Sequence, residues 1–177
     1  AVLAVQACEK RSAGTKGFAS QVGQEQAARA PGGFALESPT FKDGTELPRD
    51  TTKRGGDRPP ELGWSREPSG TQSLALEVLD VDAARGPFAH WLVWDIPKAA
   101  HRVDPTSALQ GKNDYGQVGW GGPEPPAGTG AHHYVFRLYA LDVPKLDVKA
   151  GATRAELERA MRGHVLATTE ITGLYGK

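Results

Sequence analysis

Two imidazoles and a phenol stand at the mouth of an apolar run in GAHHYVFRLYALD, residues 130–142: His132, His133 and Tyr134. A tyrosine hydroxyl and an imidazole N–H can each donate to an anion oxygen, and a protonated imidazole does so with charge assistance. Buried without partners, the same groups are costly, so their place at the start of a strand needs a cause. Period-two alternation separates them. His132 and Tyr134 share a face with Phe136 and Leu138, whereas His133 faces the other way with Val135 and Arg137.

Two further segments carry polar residues at an apolar end. SLALEVLD, residues 73–80, places Leu74, Leu76, Val78 and Asp80 on one face and Ser73, Ala75 and Glu77 on the other, with Asp82 two residues beyond. HWLVWDIP, residues 90–97, is apolar on both faces and begins with His90, which alternation aligns with Leu92 and Trp94. Each polar residue alone is more often a satisfied structural group than a ligand. If the three ends converge, however, Asp80, Asp82, His90, His132 and Tyr134 line one polar pocket rimmed by aromatics. The carboxylates would repel a bare anion, but they can orient the imidazoles and favour their charged forms, or accept from an ammonium group. Anion binding is then expected to weaken as pH rises through the imidazole range.

Positioning these residues takes a mainly β domain. FALESPTFKDG, residues 34–44, reads as a short strand and a turn at Asp43-Gly44, and RGGDRPPELGW, residues 54–64, as a loop ending on Trp64. Pro97 closes the segment begun by His90, and the Pro/Gly loop GGPEPPAGTG, residues 121–130, feeds the histidine strand, which should run to about Asp142. One helix is signalled. TRAELERAMRG, residues 153–163, has Thr153 and Glu156 in capping-box spacing, Leu157 and Met161 on one face and a stop at Gly163. HVLATTEITGLYG then returns to strand character. Strands separated by long loops, with one late helix and no internal repeat, indicate an antiparallel β-sandwich.

The 177 residues suit one domain, expected over 34–177, preceded by a Gly, Ala, Gln and Ser-rich tether over 1–33. With 21 basic and 21 acidic residues the formal net charge is zero, which argues against a nucleic-acid partner bound by phosphate neutralisation. No apolar run has the length to cross a bilayer. The N-terminus lacks an initiator Met and is expected to be trimmed or partial. Its Cys8, the only cysteine, follows Val5 and Ala7 in the manner of a lipoprotein cysteine, although Gln6 fits poorly; a stray thiol in a leader is the other reading. Lipidation would make the protein periplasmic and membrane-anchored, and membrane contact is expected through that anchor alone; without it the protein would be cytoplasmic.

The motif segments carry a family resemblance. DVDAARGPFAHWLVWDIP resembles the segment in which the phosphatidylethanolamine-binding protein family has an Asp-Pro-Asp-Ala-Pro motif and then a His before a hydrophobic strand. GWGGPEPPAGTGAHHYVFRLYALD resembles that family's second motif, a Gly/Pro loop followed by Gly-x-His-Arg-Tyr and a strand. RPPELGW is similar to its Ser-Pro-x-Leu-x-Trp segment, and the closing helix and strand are similar to those of its bacterial, Raf kinase inhibitor-like branch. Val81 and Ala84 stand where the family has prolines, and His133 stands where it has Arg.

The resemblance implies a Greek-key β-sandwich with a late helix and a small anion cavity. Its lining would be Asp80, Asp82, His90, His132 and Tyr134, with Pro125 above. It implies a non-catalytic protein without a cofactor, monomeric or homodimeric, that binds a small phosphorylated or zwitterionic ligand. The other reading is an interaction module that inhibits a kinase or protease, as relatives do. Enzyme readings have less behind them: His132-His133 lacks the His-x-His spacing that puts two imidazoles on one strand face, and no Gly-x-Ser-x-Gly occurs.

Overall fold

In the computed structural model, which describes residues 33–176, three short strands come first: β1 (Ala35–Glu37), β2 (Thr45–Glu46) and β3 (Gly63–Ser65). The long strands are β4 (Ser73–Asp80), β5 (Phe88–Pro97), β7 (His132–Leu141) and β8 (Val165–Tyr175), with a two-residue β6 (Leu109–Gln110) after β5 and helix α1 (Arg154–Met161) before β8. Most of the expected tether, and Cys8, lie outside the described residues.

Six strands form one sheet in the order β2-β8-β7-β4-β5-β6, antiparallel except for β2 beside β8. Three consecutive strands lie side by side, and β7 returns by a long connection to pair with β4, which is the Greek-key arrangement. β1 and β3 make a second, two-stranded sheet that packs on one face of the first. Leu36 and Trp64 from it meet Leu74, Leu76, Val78, Phe136 and Leu138, all buried. The sandwich, its topology and the late helix are as the sequence indicates.

Helix α1 covers the opposite face. Thr153 accepts the Glu156 N–H at 3.4 Å while Glu156 Oε2 accepts the Thr153 N–H at 2.8 Å, the reciprocal cap that the spacing predicts, typically worth about 1 kcal/mol. Leu157 and Met161 then pack on Ala75, Leu92, Trp94, Tyr139 and Leu141. One consequence departs from the sequence reading. Ser73, Ala75 and Glu77 alternate with the leucines as predicted, yet they are buried too, because α1 closes over their face.

A second departure concerns His90. Val78 pairs with Trp91 and Leu79 with Ala89, so one extra residue, His90, bulges from β5. A bulge shifts side-chain phase by one position. Leu92 and Trp94 belong to the helix-side core, as alternation assigns them, but His90 is turned to the other face, against Tyr134 and Trp120.

Candidate functional site

Register brings the polar strand ends together. Asp80, the last residue of β4, lies opposite both Phe88 on β5 and Tyr134 on β7, and β7 extends beyond it to His132. His132 Nδ1 donates to Asp80 Oδ2 at 2.7 Å, with side chains only 6% and 7% exposed. The other Asp80 oxygen accepts the Asp82 N–H at 2.9 Å and shapes the turn that leaves the strand. On the far side of the ring, His132 Nε2 stands 2.9 Å from Thr129 Oγ1, whose hydroxyl donates to the Pro126 carbonyl at 2.8 Å. His132 is then held at both nitrogens, beside a carboxylate.

Around this pair opens a cleft of about 450 Å3. Its lining includes Asp80, Asp82, His90, Pro125, His132 and Tyr134, all six residues singled out from the sequence. His90 Nδ1 donates to the Gly121 carbonyl at 2.5 Å, while its Nε2 has no hydrogen-bond partner among the described residues. Burial pushes the His90 imidazole below its ordinary value, against the pull of the Gly121 bond and of the Asp80, Asp114 and Asp57 carboxylates. Neutral, with its one proton on Nδ1, the ring presents Nε2 as an acceptor. Tyr134 is fully buried and its hydroxyl has no partner. Burial first, then the Asp80 charge, hold that phenol well above its usual range, so it remains a donor.

The carboxylate of Asp82 belongs to the rim. It accepts both the backbone N–H of His133, at 2.8 Å, and its Nδ1–H, at 2.7 Å. Slight burial would raise the Asp82 carboxyl, but the His133 side-chain and backbone donors outweigh it and hold the group below its ordinary value. Alternation turns His133 away from the cleft, but the structure corrects this: at the end of β7 its ring folds over onto Asp82 and lines the rim, where it secures one of the cleft's acidic residues.

Loop anchoring explains how the site keeps its shape without prolines at 81 and 84. The Val81 N–H donates to the His133 carbonyl at 3.1 Å, a bond that a proline there could not make. Across the cleft, the Gly122 N–H donates to Asp57 Oδ1 at 2.6 Å, and the Trp120 indole N–H donates to the Thr51 carbonyl at 3.1 Å. Gly121 is required for close approach, since a Cβ would meet Tyr115 Cδ2 at 2.6 Å.

Sequence reading missed Tyr115, Phe88 and Thr129. Tyr115 sets its ring edge on Phe88 at 4.8 Å and on His90 at 5.6 Å, and donates its hydroxyl to the Gly122 carbonyl at 3.1 Å. Burial, with Glu124 and Asp57 nearby, pushes that phenol up to about 12. Tyr115 and Thr129 lie in loops, where alternation assigns no direction; the one signal for Thr129 was its place three residues before His132.

The strand ends of the sandwich thus gather a carboxylate, two imidazoles and a phenol without a partner among the described residues around one cleft. The chain belongs to the phosphatidylethanolamine-binding protein family, whose model matches residues 37–176. It is 43% identical over 154 residues to the UPF0098 protein of Aquifex aeolicus, covering 81% of this chain and 90% of that one. It is 36% identical over 146 residues to a Mycobacterium tuberculosis protein that carries a lipoprotein name, LppC, covering 80% and 72%. Among solved structures it is similar to Escherichia coli YbcL, described as a member of the mammalian PEBP family, with a TM-score of 0.77 and 34% identity over 81% of this chain and 98% of that one. Among the described residues, no helix is long and apolar enough to cross a membrane.

Proposed function

We propose that the cleft is a non-catalytic binding site for a small anion, phosphate or a phosphorylated head group. The observation that carries this reading is the Tyr134 hydroxyl, fully buried, unpartnered and set in the cleft wall. A buried donor left unmade costs about 1–3 kcal/mol, which a ligand oxygen would recover. Its neighbour His132 is oriented by Asp80 and contributes positive charge close by when protonated.

The row Asp80, His132, Thr129 also has the carboxylate, imidazole, hydroxyl order of a nucleophilic hydrolase. Against catalysis stands the Thr129 proton, which is directed to the Pro126 carbonyl rather than to His132. Binding is therefore the reading that the hydrogen bonds favour.

Titration of the full chain with phosphate, phosphoethanolamine and phosphotyrosine, read by tryptophan fluorescence, tests it. Trp120 lies 6.4 Å from His90 and reports on the cleft. Saturable binding that Tyr134→Phe weakens about tenfold is the expected result. Absence of binding to all three would remove the anion pocket and leave an interaction module for a protein such as a kinase or protease. Export with a lipid on Cys8 is a further part of this reading, supported by the lipoprotein name of the M. tuberculosis relative. Labelled palmitate retained by the natural chain and lost in Cys8→Ser is its expected signature.

A further inference from the structure

The polar groups that the cleft leaves unoccupied form a donor beside an acceptor rather than a set of donors. Tyr134 offers an O–H without a partner, and His90 offers Nε2 without a partner, with their ring centroids 5.1 Å apart. Of the other polar groups, His132 is engaged at both nitrogens, Asp80 at both oxygens and the Tyr115 hydroxyl on Gly122, while at the exposed rim His133 Nδ1 is taken by Asp82. No lysine or arginine is among the described residues that line the cleft, whereas Asp80, Asp82 and Glu124 are. Glu124 itself is held by Arg54 at 2.6 Å.

From this arrangement we infer that the site selects a tetrahedral oxyanion that carries a proton: a phosphomonoester as its monoanion, in preference to a phosphodiester or a sulfate ester. The inference rests on the anion-pocket reading and narrows it. One oxygen of the ligand accepts from Tyr134, and the P–O–H donates to His90 Nε2. A phosphodiester or sulfate ester has the same single charge and similar shape, but no proton to give, so it sets a lone pair against the imidazole lone pair. A site built to accept from a ligand hydroxyl rejects the analogue that lacks it far more strongly than an apolar pocket rejects a shape change.

The charge inventory points the same way. A phosphomonoester dianion would enter a cleft with three carboxylates and neither lysine nor arginine among its described lining residues, while the monoanion brings one charge fewer. For His90 to donate instead, it would have to charge where it is buried. The carboxylates facing it, Asp80 from β4 and Asp114 and Asp57 from flanking loops, favour that charge, as the Gly121 bond does, but desolvation outweighs them.

The test is isothermal calorimetry of the full chain with phosphoethanolamine, its methyl phosphodiester and ethanolamine O-sulfate, which share one ammonium arm. Below the monoester's second pKa of about 6, it should bind at least about tenfold more tightly than the other two. About two units higher the advantage should shrink, and titrations in buffers of different ionisation enthalpy should show about one proton taken up per monoester bound. His90→Gln, which puts an amide N–H near the Nε2 position, should bring the three affinities close together. Phosphatidic acid vesicles present the same monoester head on a lipid. Capture by them that Tyr134→Phe abolishes would assign the head to a lipid, and binding confined to phosphoethanolamine would assign it to a soluble ester; each supports the rule. Diester and sulfate binding within about threefold of the monoester would overturn the proton rule while leaving the anion pocket standing. Binding by none of the three would overturn both. The comparison among ligands uses the natural protein, so it holds even if the His90 variant fails to fold.

Discussion

Strands β4 and β7 carry two buried polar clusters, one on each face. At their ends, Asp80 is filled by His132 and the Asp82 N–H, and the unpaired groups, Tyr134 O–H and His90 Nε2, look into a cleft. In mid-strand on the other face, Glu77 is sealed beneath α1 with the Tyr139 hydroxyl donating at 2.8 Å and Arg154 Nε 3.9 Å away. Both clusters leave polar atoms unpaired. Only the first leaves them in the wall of a cleft, whereas those under the helix are sealed and mark a standing cost.

Breaking the sealed cluster should have the largest effect. Arg154→Met leaves the Glu77 charge without its cation, and denaturant unfolding near pH 8 should show a loss of about 3 kcal/mol or more. A loss just as large near pH 5, where Glu77 can be protonated, would separate the helix effect from the charge effect. Next is Glu77 itself. Burial raises its carboxyl from 4.5 to about 7, with Arg154 opposing. Because the folded value lies above the unfolded one, the contribution is fully present below 4.5 and is lost as pH rises through about 7. Glu77→Gln should therefore remove about 2–3 kcal/mol of alkaline decline, seen as melting temperatures that no longer fall across that interval.

The open cluster should respond in the opposite sense. Tyr134→Phe deletes a buried hydroxyl that nothing in the fold uses, so unfolding free energy should rise by about 1 kcal/mol or more while phosphomonoester affinity falls about tenfold. A large stability loss would mean that the hydroxyl has a structural partner. Smallest is the rim, where Asp82 and His133 are 43% and 55% exposed at the side chain. Asp82→Asn should cost about 0.5 kcal/mol or less, with the difference vanishing in high salt.

The contrast also explains what the sequence discloses. Alternation placed Asp80, His132 and Tyr134 on one face because the β4 and β7 pairing is regular across that end. It misplaced His90 because a bulge adds a residue to β5 without any mark in the pattern of apolar side chains. It set Glu77 on the face opposite the leucines without disclosing that this face is buried, because the helix that covers it comes more than seventy residues later. The family resemblance named the same cleft residues as the alternation did. Neither revealed that His132 is engaged at both nitrogens, because Thr129 reaches it through loop geometry alone.

The Greek-key return has a consequence for when the cleft exists. Asp80 and His132 are 52 residues apart, and His132 is flanked on its other side by Tyr175 of β8. Closing such long loops is the slow, entropically opposed part of folding. A ribosome-bound chain that has emitted both histidines and Asp80 still lacks the strand that borders β7, so the cleft is among the last features completed during synthesis. The shaped cleft therefore reports on completed topology.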